Sequence, residues 1–204
     1  MSALITIVDY GMGNLGSVEN MFRRVGARAR ISADAAEVGG AEKLLLPGVG
    51  AFDRAMQLID ASGLRSVLDR KALEERDPIL GICLGMQLLT RSSEEGAARG
   101  LGWLPAETRR LPREPGLKVP HMGWNGVTAP RPSALTTGLP PDARFYFVHS
   151  YCVQVDDPSD SVLKCRYGVD FDAAVERGNI YGAQFHPEKS HRFGMQLLAN
   201  FARL

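Results

Sequence analysis

The segment Pro78-Ile79-Leu80-Gly81-Ile82-Cys83-Leu84-Gly85-Met86-Gln87-Leu88-Leu89 sets one cysteine between two glycines, after an apolar run of strand length and before one with a helical pattern. That is the signature of a sharp strand-to-helix turn. Its apex residue is forced into strained backbone, so the positions two residues to either side must be small, as Gly81 and Gly85 are. Such a turn mounts the Cys83 thiol at the end of a sheet strand. A helix opening there aims free backbone N–H groups and the positive dipole end at sulfur, which favours thiolate, the nucleophilic form. Gly-x-Cys-x-Gly alone suits a buried core cysteine equally well, so the rest of the chain has to decide.

Apolar runs of strand length recur and alternate with stretches of helical period, which predicts an α/β domain with a mostly parallel central sheet flanked by helices. Strands are expected over Leu4–Tyr10, Ala27–Ser32, Lys43–Leu46, Phe145–Tyr151, Val162–Tyr167 and Ile180–Phe185, besides the one that ends at Cys83. Helices are expected over Leu15–Val25, Ala51–Ile59, Leu64–Glu75 and Arg192–Leu204, the last amphipathic. From Arg91 to Pro141 glycine and proline are frequent and apolar stretches short, which predicts loops and short antiparallel strands inserted in the second half. The 204 residues suit one domain over 1–204, with no room for a second catalytic unit.

A net charge of +1 gives no basic excess that would draw nucleic acid or an anionic membrane. No run approaches the ~18 apolar residues of a membrane span, and Asp9 interrupts the first apolar segment, so neither insertion nor export is expected. Cys83, Cys152 and Cys165 form no Cys-x-x-Cys pair and cannot all be disulfide-bonded within the chain, which points to a reducing compartment, the cytoplasm by default.

A thiol nucleophile needs a general base, and the chain offers His121, His149, His186 and His191. His186 follows the strand Ile180–Phe185 and heads the triplet His186-Pro187-Glu188. Proline holds the residue before it extended, and in an extended chain residues two apart point to the same side, so Glu188 can lie beside His186. A carboxylate there fixes the imidazole tautomer and leaves the other nitrogen facing the thiol. Cys83, His186 and Glu188 are therefore the expected triad. His121 and His149 are read as hydrogen-bonded structural residues. No metal is expected, because His186 and His191 stand five apart and no Cys/His group has ligand spacing. Acyl transfer also needs donors for an oxyanion. The N–H of Leu84 is one candidate, and the loop Pro47-Gly48-Val49-Gly50 at the end of a strand is the source of a second.

Taken together, Gly81-Ile82-Cys83-Leu84-Gly85-Met86-Gln87, Pro47-Gly48-Val49-Gly50 and His186-Pro187-Glu188 resemble the class I, Cys-His-Glu triad glutamine amidotransferases. Asp9-Tyr10-Gly11-Met12-Gly13-Asn14-Leu15-Gly16-Ser17, Pro120-His121-Met122-Gly123-Trp124-Asn125 and Tyr146-Phe147-Val148-His149-Ser150-Tyr151 extend the likeness over nearly the whole chain. They point to the branch of that family serving histidine biosynthesis. The resemblance implies a flavodoxin-like fold and glutamine hydrolysis through a thioester on Cys83, with no cofactor. It implies an oxyanion hole supplied or gated by Gly48, Val49 and Leu84. It further implies glutamine held by Gly50, Gln87, Glu95, Ser150 and Tyr151, with Glu95 taking the α-ammonium group. It also implies a heterodimer whose other member is a (β/α)₈ barrel synthase subunit, met by Asn14, Trp124 and Lys189. Without the resemblance, Trp124 reads as a core aromatic and Lys189 as a solvated charge.

Two other readings compete. Gly11-x-Gly13-x-x-Gly16, with Asp34 beyond the second strand, formally matches a dinucleotide-binding fingerprint, but leaves the triad motifs unexplained. A glutaminase of another pathway would keep the triad and lack the need for the segments around Trp124 and His149.

Overall fold

The computed structural model describes residues 4–204. From the N-terminus, β1 (Ile5–Val8) leads to α1 (Leu15–Arg24), β2 (Ala29–Ser32), a short α2 (Ala35–Gly39) and β3 (Lys43–Leu46). Then come α3 (Phe52–Ala61), α4 (Leu64–Asp69), β4 (Ile79–Ile82) and α5 (Leu84–Leu88). The second half contributes β5 (Ala106–Arg110), β6 (His121–Gly126), β7 (Arg144–His149), β8 (Tyr151–Val155), β9 (Ser161–Tyr167), β10 (Val169–Arg177), β11 (Ile180–Ala183) and α6 (His191–Arg203).

The central sheet has the order β2-β1-β3-β4-β11-β10-β9. Its first five strands run parallel, and β10 and β9 complete it antiparallel. The order about β1 is that of flavodoxin-like doubly wound sheets. Strands β1, β3, β4 and β11 are buried along their whole length, as expected of parallel strands covered on both faces. Alternation sorts their side chains into two cores: Ile5, Ile7, Leu45 and Leu80 pack with Phe22, Phe185 and Phe201, while Val8, Leu44, Leu46 and Ile79 pack with Phe52, Ile59 and Met86. Two antiparallel pairs, β5 with β8 and β6 with β7, lie outside the sheet, the short strands expected of the second half.

Several boundaries differ from expectation for identifiable reasons. The first strand stops at Val8 because the Asp9 carboxylate takes the N–H of Gly11 at 2.9 Å and starts a turn. The helix expected over Leu64–Glu75 is α-helical to Asp69, then widens into a π-helical turn at Arg70–Glu75, which sets Arg70 against Glu75 at 3.3 Å. The strand expected over Phe145–Tyr151 is two strands parted at Ser150, each pairing with a different partner. Strand β10 has no counterpart among the expected strands. Asp170, Asp172 and two alanines disguise it, and Asp172 is tolerated inside because it accepts the Val155 N–H at 2.9 Å and Lys164 Nζ at 3.1 Å.

Candidate active site

Strands β3, β4 and β11 are neighbours in register, Leu46 opposite Gly81 and Ile82 opposite Ala183, so they end at one edge of the sheet. The loop Pro47–Gly50, Cys83 and His186 follow those three ends, where open α/β sheets place their ligands. Cys83 leaves β4 at φ 54° and ψ −111°, with its N–H on the Ala183 carbonyl at 2.7 Å. Backbone held in such a region costs on the order of 1–3 kcal/mol and persists only where the surroundings impose it. Here a Cβ on Gly81 would meet the Gly85 carbonyl oxygen at 2.6 Å, and one on Gly85 would run into the Leu46 carbonyl. Those contacts explain both glycines. Helix α5 extends only to Leu88, because the chain then turns and the Leu88 and Leu89 carbonyls bond Leu101 and Leu104 N–H. One turn of helix gives the thiolate less dipole support than the sequence suggests.

The expected base is held firmly. His186 Nδ1 lies 2.8 Å from Glu188 Oε1, both side chains being almost fully buried. The other carboxylate oxygen, Oε2, is buried without a hydrogen-bond partner, so the imidazole is the main contact that steadies Glu188. Burial pulls the His186 pKa down, but hydrogen bonds and charge from the Cys83 thiolate and Glu188 override it and raise it to about 10. The arrangement favours a proton resting on the imidazole.

A pocket of about 320 Å³ opens over these groups, and Val49, Gly50, Cys83, Leu84, Gln87, Glu95, Ser150, Tyr151, His186 and Lys189 all line it. Gly48 lies just behind. A Cβ there would sit 3.0 Å from Leu84 Cβ and 3.1 Å from Gly85 N, so the loop from β3 rests directly on the turn bearing Cys83. Val49 is 45 % exposed. Gln87 gives its amide nitrogen to the Tyr151 carbonyl at 2.9 Å and to Gln184 Oε1 at 3.1 Å. What it can offer a ligand is therefore its carbonyl oxygen, an acceptor. Glu95 accepts the Phe52 N–H at 2.9 Å, and Asp53 in turn holds the N–H groups of Ala97 and Ala98 at 3.0 Å each. These backbone bonds fix the loop carrying Glu95 and hold the Asp53 carboxyl below its usual range.

Three further residues are those that the resemblance assigns to a partner surface. Trp124 is 41 % exposed rather than a core aromatic; it stacks on His191 and meets Tyr146 edge-on. Lys189 Nζ lies 5.9 Å over the same Tyr146 ring. Asn14 is exposed at the start of α1, its side chain making no cap. Sequence reasoning passes over Tyr10 and Gln184. Tyr10 donates to the Pro47 carbonyl at 2.7 Å and steadies the Gly48 loop; burial and the nearby Cys83 thiolate push its phenol pKa upward. Its place at the end of β1 beside a glycine turn is the available signal. The dinucleotide reading finds no support in the geometry. Gly16 is exposed with nothing within 4 Å of a would-be Cβ, and Asp34 is spent capping α2 through Ala36 and Glu37 N–H. Among the described residues no group of three His, Cys, Asp or Glu could hold a metal ion, and no helix is long and apolar enough to cross a membrane.

His121 and His149 are buried and hydrogen-bonded to each other at 3.0 Å. Burial lowers their pKa values to about 4 and about 3. Below about pH 6.5 the unfolded chain takes up two protons that the folded chain refuses, so stability falls with pH until the folded values are reached. His186, shifted upward, works the other way by less than about 1 kcal/mol over the same window. The expected net loss between pH 7 and pH 5 is roughly 2–4 kcal/mol. Urea unfolding at the two pH values measures it, and equal midpoints would refute it.

The family model for "Glutamine amidotransferase class-I" matches residues 6–204. Imidazole glycerol phosphate synthase subunit HisH 2 of Pseudomonas aeruginosa is 51% identical over 98% of this chain and 100% of its own length. The HisH subunit of Bdellovibrio bacteriovorus is 47% identical over 98% and 100%, and HisH 2 of Methanococcus maripaludis 48% over 98% and 99%. Among solved structures, PurLQS from Thermotoga maritima matches with a TM-score of 0.71 at 19% identity, covering 98% of this chain and 98% of that one, a likeness of fold. By sequence along almost its whole length and by the sheet that gathers Cys83 and His186, the chain belongs to the class-I glutamine amidotransferases and, within them, to the HisH glutaminase subunits of imidazole glycerol phosphate synthase.

Proposed function

We propose that the chain, as a single domain over 1–204, hydrolyses L-glutamine to glutamate and ammonia with Cys83, His186 and Glu188 as its triad. The ammonia goes to a (β/α)₈ barrel synthase subunit, its heterodimer partner, which makes imidazole glycerol phosphate and aminoimidazole carboxamide ribonucleotide in histidine biosynthesis. One observation carries the chemistry: three adjacent parallel strands deliver a glycine loop, a thiol and a carboxylate-held imidazole to one pocket.

Cys83 Sγ attacks the carboxamide carbon, and the imidazolium of His186 gives its proton to the departing ammonia. His186 then takes a proton from water, whose attack on the thioester releases glutamate. Leu84 N–H and the Gly48-Val49 peptide stabilise the oxyanion. Glu95 faces the substrate's α-ammonium group, with Gly50, Gln87, Ser150 and Tyr151 forming the rest of the cradle. Ammonia released into neutral water is protonated and no longer nucleophilic, so a sheltered route to the partner is an advantage. We assign the partner face to Asn14, Trp124 and Lys189, a choice supported by the exposure of Trp124 and its convergence with Lys189 on Tyr146. We place the protein in the cytoplasm, where its three free thiols remain reduced.

Uncoupled hydrolysis would waste glutamine, so the isolated chain is expected to be slow. Adding the barrel subunit with its ribonucleotide should raise glutaminase kcat about a hundredfold or more, the scale of completing one oxyanion-hole donor. Full activity of the single chain, indifferent to partner and nucleotide, would overturn this account of regulation.

A further inference from the structure

The protonation pattern of the buried His121–His149 pair follows from one backbone oxygen. His149 Nδ1 lies 2.8 Å from the Tyr151 carbonyl, which can only accept, so Nδ1 bears the proton, and in the neutral ring that burial favours Nε2 bears a lone pair. That lone pair faces His121 Nδ1 at 3.0 Å, so Nδ1 is the protonated nitrogen there too. His121 Nε2 is then an acceptor, and Asn125 Nδ2 stands 3.4 Å away, also donating to the Arg166 carbonyl at 3.1 Å. The chain runs one way, from Asn125 through His121 and His149 to Tyr151, with both rings neutral.

The surroundings support that state. His121 is stacked between Phe147 at 4.8 Å and Tyr167 at 3.9 Å, and His149 lies edge-on to Phe171 at 5.1 Å. The terminus of the chain is a junction. The same Tyr151 carbonyl accepts Gln87 Nε2, which also donates to Gln184 Oε1. Gln87 lies four residues beyond Cys83, and Gln184 two before His186. One oxygen thus ties the wall formed by Ser150 and Tyr151 to the elements that carry nucleophile and base.

We propose that Asn125, His121 and His149 form a directional, uncharged hydrogen-bond chain that positions the Ser150–Tyr151 wall of the glutamine pocket relative to Cys83. His121 is a positioning residue that acts through His149, and His149, which also borders the pocket, positions the wall through the Tyr151 carbonyl. The inference rests on the proposed glutaminase function for its substrate, while its tautomer pattern does not.

Two measurements test it. In long-range proton–nitrogen spectra of ¹⁵N-histidine-labelled protein at pH 7, both rings should show a protonated Nδ1 and a bare Nε2. An Nε2–H tautomer or a charged ring at either position would overturn the chain. Glutaminase kinetics of the complex with its barrel subunit supply the second test. His149→Phe keeps an aromatic ring but loses the donor, and should raise the KM for glutamine about tenfold with kcat little changed, the mark of lost binding common to ground and transition states. His149→Asn keeps an N–H near the position of Nδ1 while sacrificing ring packing, and should recover most of that loss. The reverse order, with phenylalanine the better substitute, would mean that His149 merely fills space and would overturn the proposal. Wild-type protein unable to hydrolyse glutamine would instead refute the proposed function, and the spectra would still decide the hydrogen-bond chain.

Discussion

Cys83→Ala is expected to lower glutamine hydrolysis by about four orders of magnitude or more in kcat, the scale of deleting a covalent nucleophile that acts as one unit with its base, while the fold remains intact. The structural side of this expectation comes from the turn. Alanine and cysteine share a Cβ, so the strained backbone at φ 54° is no worse for the substitution. Apart from its interaction with His186, the thiol's contacts are long: it lies 3.8 Å from the Val148 carbonyl and 3.9 Å from Gln184 Nε2. His186 keeps its Glu188 partner at 2.8 Å, so the substitution strands no buried charge and the melting temperature should change little.

The same variant separates the contributors to the raised pKa of His186. Burial lowers it, and Cys83 and Glu188 raise it. Without the thiolate only Glu188 opposes burial, so the imidazole should titrate well below about 10 in the alanine variant, with its Glu188 contact kept. An NMR titration of His186 in both proteins reads this directly. An unchanged value would mean that Glu188 alone charges the imidazole and that Cys83 does not share its proton. Retained glutaminase activity would remove Cys83 from the mechanism altogether.

Local chemistry is legible in the sequence and long-range registration is not. Gly81 announces a turn because a Cβ there would meet the backbone of Gly85 four residues on, whereas the contact that requires Gly85 itself, the Leu46 carbonyl, lies on another strand. Pro187 restricts its own neighbour, so the meeting of His186 with Glu188 can be anticipated from a tripeptide. The meeting of Gln87, His149 and Gln184 around the Tyr151 carbonyl depends instead on three segments far apart in the chain. No spacing within one segment encodes it. Strand β10 is hidden for a related reason. A reading by hydrophobicity treats Asp172 as an exposed residue, and only the partners Val155 and Lys164 make it an interior one. Ser150, likewise, lies inside an apolar-rich run that reads as one strand, yet the chain breaks there because β7 and β8 serve different neighbours.

Gly85→Ala should cost stability and activity together, because Gly85 is where α5 rests on the end of β3. A Cβ at Gly85 would overlap the Leu46 carbonyl oxygen and come within 2.8 Å of its carbon and 3.3 Å of Pro47 C. All three are backbone atoms at the end of a fully buried strand, so no side chain can swing aside. The helix must lift off β3, carrying the Leu84 N–H away from Cys83 and opening the packing of Leu84 and Met86 in the core. Overpacking against rigid backbone belongs with the largest single-residue effects, about 4 kcal/mol or more, which for a chain of this size lowers the melting temperature by roughly 8–16 °C. Gly16→Ala is the matched control. Gly16 lies in α1 with open space around it, and alanine there should stabilise the helix by about 0.5–1 kcal/mol. Thermal unfolding of both variants gives the comparison. If Gly85→Ala melts with the wild type, the tight seat of α5 on β3 is wrong, and with it the geometric reason for placing the Leu84 N–H at the oxyanion.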